Sequence, residues 1–371
     1  MEAAYSDNFT TIYQGNSLDV LKQLPDESVN CCVTSPPYWA LRDYDCDGQL
    51  GLEENPDCLG WATGDKCGEC HVCNIVRIFQ EVYRVLRSDG TLWLNYGDTY
   101  ISNPTTTGKS FRRDRSECVP RRGKTQTTKE AADFVGPNCS KVLPGKSMVG
   151  IPWRIALALQ ADGWILRQDI IWQKPTAMPE SVRDRCSKSH EYIFLLAKSP
   201  KYYYDKAAIK EPCTGNAQGR GDGVNKKARF PTGWDGGTGG HDQKQGRYKN
   251  TGVGFGHGHD KKPKPRVKQN ASFSAAVNEV VDSRNRRSVW TVMSERYPEA
   301  HFATFPTKLI EPCILAGCPK DGVVLDPFMG SGTTAWVAMD HFRKSIGVEL
   351  NAKYIELIKK RMSQPALPLE V

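Results

Sequence analysis

Apolar positions recur along the chain at two different spacings, and the way those spacings alternate predicts the fold. Short apolar runs at 10–13, 29–33, 91–95, 164–172, 190–198, 323–326 and 345–348 read as strands. Between the first two, Leu18, Leu21 and Leu24 stand at helical spacing. From 74 to 86 the apolar residues Ile75, Ile78, Phe79, Val82, Val85 and Leu86 fall at i, i+3, i+4 and i+7, an amphipathic helix stopped by Ser88, Asp89 and Gly90. Further helices are predicted at 152–161, ended by Asp162 and Gly163, at 307–316 and at 335–342. Strands and helices alternating in this way predict an α/β domain with a mixed, mostly parallel sheet.

Three stretches break the pattern: a long loop at 97–146, an irregular segment at 175–188, and everything from 205 to about 285, after which regular structure resumes at 288–292. In the last of these Gly, Lys, Arg, Asn and Gln dominate, Phe230, Trp234, Tyr248 and Phe255 are interspersed, and no repeat is found. It reads as an insertion into one domain, dividing the chain into 1–204, 205–290 and 291–371.

Charge follows the same divisions. The formal net charge is +8, yet 206–290 holds 17 Lys plus Arg against 7 Asp plus Glu, and 101–130 holds 8 against 3, so the remainder is net −7. A mildly acidic body with two basic segments is the electrostatic footprint of a nucleic-acid binder. Lys226, Lys227, Arg229 and the basic cluster at 261–268 are the expected phosphate contacts. With 39% hydrophobic and 25% charged residues, the composition is that of a globular protein. No run of about 18 apolar residues exists, so no membrane span is expected. Residues 1–10 lack a basic start and an apolar core, so no secretory signal is read and the cytoplasm is the expected compartment. The 13 cysteines are then expected as free thiols or metal ligands.

The apolar run at 29–33 breaks into Thr34-Ser35-Pro36-Pro37-Tyr38-Trp39. Two prolines fix φ and remove two backbone donors, leaving the carbonyls of Ser35 and Pro36 free to accept hydrogen bonds beside an aromatic ring. That combination suits a flat, amine-bearing ligand. A second turn, Asp326-Pro327-Phe328-Met329-Gly330-Ser331-Gly332-Thr333-Thr334, joins a strand to a helix. Its glycines let backbone approach a ligand closely, and the helix N-terminus favours carboxylate or phosphate oxygens. The next strand ends in Glu349, 23 residues beyond Asp326, where a carboxylate can accept both hydroxyls of a ribose. Gly330-x-Gly332-x-x-Ala335 also fits a dinucleotide fingerprint, so a nicotinamide-dependent oxidoreductase is a rival reading. Only 22 residues follow Glu349, too few for the remaining strands of such a fold, so the rest of the sheet has to come from the N-terminal part.

Together the two turns resemble the motifs of the amino-directed DNA methyltransferases, (Ser/Asp/Asn)-Pro-Pro-(Tyr/Phe) and a glycine-rich cofactor loop. Their order resembles the β subgroup of that family: catalytic turn, insertion, cofactor loop. The likeness spans nearly the whole chain apart from the insertion. It implies a Rossmann-like class I methyltransferase fold, circularly permuted, with S-adenosylmethionine as methyl donor and 205–290 as a target-recognition region for double-stranded DNA. It assigns the cofactor to Asp326, Pro327, Phe328, Gly330, Ser331, Gly332 and Thr333, to the ribose acid Glu349, and to Thr304 and Phe305 in a flanking segment at 301–309. Ser35, Pro36, Pro37 and Tyr38 become the catalytic residues.

In that scheme the Ser35 side chain and the Pro36 carbonyl accept the protons of an exocyclic amine and draw its nitrogen towards sp³. The lone pair then points at the methyl sulfonium, and direct in-line transfer needs mainly positioning. The base leaves the duplex first and stacks on Tyr38, with Trp39 at the rim. Ser35 favours N4 of cytosine; N6 of adenine is the alternative, and an inactive DNA-binding protein of the same fold is a third reading. A bacterial or phage modification enzyme of this type can have a companion restriction endonuclease, with no direct complex implied.

Cys67-x2-Cys70-x2-Cys73 has a spacing that lets thiolates converge on one ion, and Cys58 completes a tetrahedral set, with Cys46 and His71 nearby. One reading is a structural zinc clamping the loop beside the catalytic turn; the other is reduced, partly buried thiols. Pro212-Cys213 and Pro312-Cys313 resemble the nucleophile dipeptide of C5-cytosine methyltransferases, but both precede the cofactor loop, and no cysteine is expected to be catalytic.

Overall fold

A computed structural model describes residues 2–101, 143–177, 179–212, 283–295 and 305–363. The chain divides into two compact units, 1–209 with 286–371, and 210–285. Most of the basic loop, the expected phosphate contacts of the insertion, Cys213 and Thr304 lie outside the described residues.

The first unit begins with β1 (Tyr5–Ser6), β2 (Thr10–Gln14), α1 (Ser17–Leu21), β3 (Val29–Thr34), α2 (Gly60–Thr63), α3 (His71–Val85) and β4 (Leu86–Tyr96). It continues through α4 (Ile151–Ala161), β5 (Ile165–Gln173) and β6 (His190–Ala197). Two short strands of the second unit follow, β7 (Glu211–Pro212) and β8 (Ser283–Arg284). The first unit then resumes with β9 (Val289–Thr291), α5 (Thr307–Gly317), β10 (Val323–Asp326), α6 (Thr333–Asp340), β11 (Lys344–Glu349) and α7 (Ala352–Met362).

Its strands form one sheet in the order β1-β2-β11-β10-β3-β4-β6-β5-β9. The run from β2 to β4 is parallel throughout, β6 lies antiparallel between β4 and β5, and β9 pairs parallel with β5. This is the mixed, mostly parallel sheet the pattern predicts. Strands β10 and β11, late in the chain, sit between β2 and β3, which are early. The turn after β3 and the glycine-rich turn after β10 are thereby neighbours.

Alternation along each strand builds the two cores. Leu92, Leu94 and Tyr96 of β4, with Phe194 and Leu196 of β6, pack with α1, α3 and α4. Trp93, Ile193 and Leu195 point to the opposite face and pack with α5 and α6. Each buried Leu, Ile or Phe contributes about 1.5–3 kcal/mol, so this alternation fixes the register of the sheet.

Helix α3 starts at His71, three residues before the expected 74, because the preceding segment satisfies its first amides. His71 N donates to the Asn55 carbonyl at 3.1 Å and Val72 N to the Pro56 carbonyl at 3.1 Å. Among the described residues no helix is long and apolar enough to cross a membrane. The second unit is described only where its chain enters and leaves: β7 and β8 pair antiparallel, with Arg284 Nε 2.7 Å from Glu211 Oε1.

Candidate active site

The carboxyl ends of the parallel strands lie together at one end of the first unit's sheet, where open α/β sheets place their ligands. A cavity of about 310 Å³ opens there.

Strand β3 delivers the proline turn to it: Ser35, Pro36, Pro37 and Tyr38 all line the cavity. Ser35 Oγ lies 3.3 Å from the Tyr38 hydroxyl, which lies 2.8 Å from Glu191 Oε2 and 3.2 Å from Asn95 Oδ1. A carboxylate only accepts, so Tyr38 donates to Glu191, Ser35 donates to Tyr38, and the lone pairs of Ser35 Oγ remain for a ligand. Burial, with the Glu191 charge beside it, pushes the Tyr38 hydroxyl well above its ordinary pKa, so it keeps its proton and the relay keeps its direction. Lys174 pairs with the other Glu191 oxygen. The Pro36 carbonyl has no backbone partner among the described residues.

One face of the Tyr38 ring stacks on Tyr96, with centroids 4.7 Å apart and planes at 29°. Tyr96 also donates to the Pro37 carbonyl at 2.8 Å. A Cβ on Gly97 would come within 2.6 Å of Tyr38 Cε2, so the ring needs glycine there. Trp39 is not at the rim. It is 1% exposed, packed in the core with α3, and its Nε1 donates to the Glu53 carbonyl at 2.9 Å. An indole can join the core once its single polar atom has a partner, and here Glu53 supplies one.

Pro327, Phe328, Gly330, Ser331 and Thr333 line the opposite wall, with Glu349 and Phe305. The loop's main-chain amides fix its shape: Met329 N donates to the Val348 carbonyl at 2.9 Å, and Gly330 N to the Glu349 side-chain carboxylate at 2.8 Å. Gly330 takes a positive φ of 55°, which glycine adopts without strain. Ser17 Oγ donates to the Pro327 carbonyl at 2.6 Å, tying in the start of α1. Glu349 also accepts from Asn351 N at 2.8 Å. Burial outweighs these bonds and lifts its carboxyl to about 7.

Two residues assigned to the cofactor do not reach the cavity. Asp326 is fully buried, and its carboxylate accepts from Thr34 Oγ1 and Thr334 Oγ1 at 2.6 Å each and from Phe328 N at 3.0 Å. It fastens the proline turn to the glycine-rich turn, and burial raises its carboxyl to about 6 against those three bonds. Gly332 instead faces α7, where a Cβ would stand 3.2 Å from Ile358.

Asn95, Lys174 and Glu191 enter the cavity without having been singled out in the sequence. They sit at the end of β4, just after β5 and at the start of the antiparallel β6, three positions that fall at the same end of the sheet's strands. The available signal was a polar residue at the boundary of each apolar run.

The Sγ atoms of Cys58, Cys67, Cys70 and Cys73 all lie within 4.8 Å of one another, Cys58 and Cys73 at 3.7 Å. Cys46 belongs to the cavity wall and His71 turns inward to Glu53 and Tyr96, so neither joins the group. Cys313 is buried in α5 with its thiol 3.7 Å from the Leu309 carbonyl, away from the cavity lining.

The family model for DNA methylases of the N6/N4 type matches residues 29–360. The type II methyltransferase M.Cfr9I of Citrobacter freundii is 38% identical over 355 residues, covering 96% of this chain and 88% of that protein. M.SmaI of Serratia marcescens is 37% identical over 351 residues, covering 95% and 90%. Among solved structures, the cytosine-N4-specific PvuII DNA methyltransferase shares the fold with a TM-score of 0.56 at 16% identity, covering 99% of this chain and 90% of that one. A match running through both turns and the sheet between them settles the family: the chain belongs to the N6/N4 DNA methylases.

Proposed function

We propose that this enzyme transfers the methyl group of S-adenosylmethionine to the exocyclic N4 of cytosine in double-stranded DNA, at a specific site. The observation that carries the reading is that Ser35–Tyr38 and Gly330–Thr333 with Glu349, almost 300 residues apart in sequence, line one cavity. When bound, S-adenosylmethionine supplies an electrophilic methyl group. Gly330, Ser331 and Thr333 suit its polar groups, Glu349 its ribose hydroxyls, and Phe305 and Phe328 its apolar surfaces.

The acceptor base is held by the proline turn. Ser35 Oγ donates into the Tyr38–Glu191 relay, so its lone pairs can accept a hydrogen bond from one amine N–H while the Pro36 carbonyl accepts from the other, and the methylated nitrogen then releases one proton to solvent. Both contacts turn the nitrogen lone pair away from the ring and leave no covalent enzyme intermediate to form. A base inside a duplex cannot reach a cavity at the end of a sheet, so the nucleotide flips out and stacks on Tyr38.

The order of turn, insertion and glycine-rich loop supports the permuted β-type arrangement, with 205–290 as the target-recognition region. The type II relatives support a bacterial or phage modification enzyme acting in the cytoplasm, of a kind that can have a companion restriction endonuclease, with no direct complex implied. Ser35 supports cytosine; adenine N6 is the second reading, since both bases offer an amine beside a ring nitrogen. Nucleosides from DNA incubated with the protein and labelled S-adenosylmethionine are to be resolved by mass spectrometry. N4-methylcytosine is the expected product; labelled adenine overturns the base, and absence of label overturns the reading.

A further inference from the structure

We propose that Cys58, Cys67, Cys70 and Cys73 hold one zinc ion whose task is to keep the base-binding turn in shape, so that metal loading governs methyl transfer and leaves donor binding alone. The second half rests on the methyltransferase reading above; the first does not.

Zinc–thiolate bonds of about 2.3 Å in a tetrahedron place the sulfurs about 3.8 Å apart. Cys58 and Cys73 stand at 3.7 Å, and all four sulfurs fit within 4.8 Å while every one of these cysteines is free of a disulfide. Amides are aimed at two of the sulfurs: Gly60 N at Cys58 Sγ, 3.4 Å away, and Glu69 N and Cys70 N at Cys67 Sγ, 3.4 and 3.3 Å away. Cys70 caps α3 and Cys73 lies in its first turn, so the positive end of that helix adds to the same field. Such donors stabilise thiolates bound to a metal. The segment between is held otherwise by polar contacts at its ends and by Trp61, half-buried against the core: Arg154 pairs with Asp57 at 2.8 Å, and Arg77 donates to the Gly68 carbonyl at 2.6 Å. Residues 62–67 are all exposed, and α2 has only four residues, of which Gly60 alone is buried. A loop with so little apolar burial gains much of its order from a metal staple where four thiolates can hold one.

Both ends of this staple lead to the base pocket. Directly after Cys70, the fully buried His71 bridges Glu53, 2.8 Å from Nδ1, and the Tyr96 hydroxyl. Tyr96 stacks on Tyr38 and donates to Pro37. Ahead of Cys58, the Glu53 carboxylate accepts from Gly51 N at 2.8 Å and its carbonyl from Trp39 Nε1. The glycine-rich loop is held by Thr34, Ser17 and Val348, none of which depends on 53–73.

Full-length protein purified without chelator is expected to carry about one zinc per chain by elemental analysis. Cobalt loaded in its place should give thiolate charge-transfer bands. Cys67→Ser with Cys70→Ser should lose the metal, Cys186→Ser should keep it, and Cys67→His should restore it. Stripping the wild-type protein with chelator should lower kcat about tenfold or more, with recovery on adding zinc, while the donor Kd by calorimetry stays within about twofold. If the serine variants do not fold, the strip-and-reload measurement decides. Wild-type protein that holds no zinc and takes up none overturns the site. Zinc present with kcat indifferent to stripping, or with donor affinity falling alongside kcat, overturns the coupling. Zinc present with no methyl transfer to any DNA overturns the methyltransferase reading and leaves the metal site standing.

Discussion

The two walls of the cavity are built on different principles. The donor side is built mainly from one stretch, Asp326 to Glu349, with Phe305 beside it, and is shaped by main-chain bonds such as Met329 N to the Val348 carbonyl and by glycine at Gly330. The acceptor side is assembled from side chains of segments far apart: Ser35 and Tyr38, Asn95 and Tyr96, Lys174, and Glu191. A wall held by backbone tolerates side-chain changes that a wall of linked side chains does not. The largest effect expected from this contrast is at Ser35. Ser35→Ala removes an acceptor needed only as the amine reacts and should lower methyl transfer about 10²–10³-fold, with donor affinity by calorimetry unchanged. Tyr38→Ala should behave alike, and normal methyl incorporation by that protein would break the contrast at its strongest point.

The same difference decides what the sequence discloses. Strand and helix periodicity places β2, β3, α4, β6, α5, β10 and β11 within a few residues, because the alternation that buries each face is local. Glu349 stands 23 residues from Asp326 and is legible with it. Glu191 meets Tyr38 across 153 residues, and nothing in the spacing announces that. Asp326 shows the converse case. An acid at a strand end beside a glycine-rich turn reads as a ligand, yet Thr34, 292 residues away, and Thr334 turn it into a buried tie. Trp39 misleads in the same way, its ring going to the core because Glu53 satisfies the indole.

Asp326 is the point at which the two walls stop being independent. Asp326→Ala leaves the hydroxyls of Thr34 and Thr334 and the amide of Phe328 without their acceptor in a buried site. Each such loss costs about 1–3 kcal/mol, offset by relief of a buried carboxyl, so urea unfolding should show a net loss of about 2–3 kcal/mol. Donor affinity and methyl transfer should fall together. Thr34→Val breaks one of these bonds and should cost about 1 kcal/mol. If Asp326→Ala is as stable as wild type, the tie between the walls is not where the geometry puts it.

On the donor side alone, pH is the gentler probe. Glu349 accepts ribose hydroxyls as a carboxylate and loses that capacity on protonation, and burial lifts its carboxyl to about 7. Donor affinity is therefore expected to be full at about pH 8 and to weaken as pH falls through that value, about tenfold by pH 6. Binding itself favours the ionised form. Glu349→Gln should bind weakly at every pH, without the slope. A slope that persists in this variant, followed by calorimetry, assigns it to another group.

The smallest effect expected is at Glu191, and it shows how the acceptor wall absorbs a single change. In Glu191→Gln the amide oxygen stays with Lys174, which can only donate, and the amide NH2 turns to Tyr38. Tyr38 then accepts from that NH2 and from Ser35 while donating to Asn95 Oδ1, now 3.2 Å away. Ser35 keeps its direction, and its lone pairs still face the amine. What is lost is the difference between a charged and a neutral acceptor, about 1 kcal/mol, so kcat should fall about fivefold with donor affinity unchanged. Adding Asn95→Leu removes the last acceptor for the Tyr38 proton, which then turns on Ser35 and fills the lone pair the amine needs. The double variant should fall to the level of Ser35→Ala, far below the product of the single effects. Simple multiplication of the two losses would show that Ser35 does not take its direction from this relay.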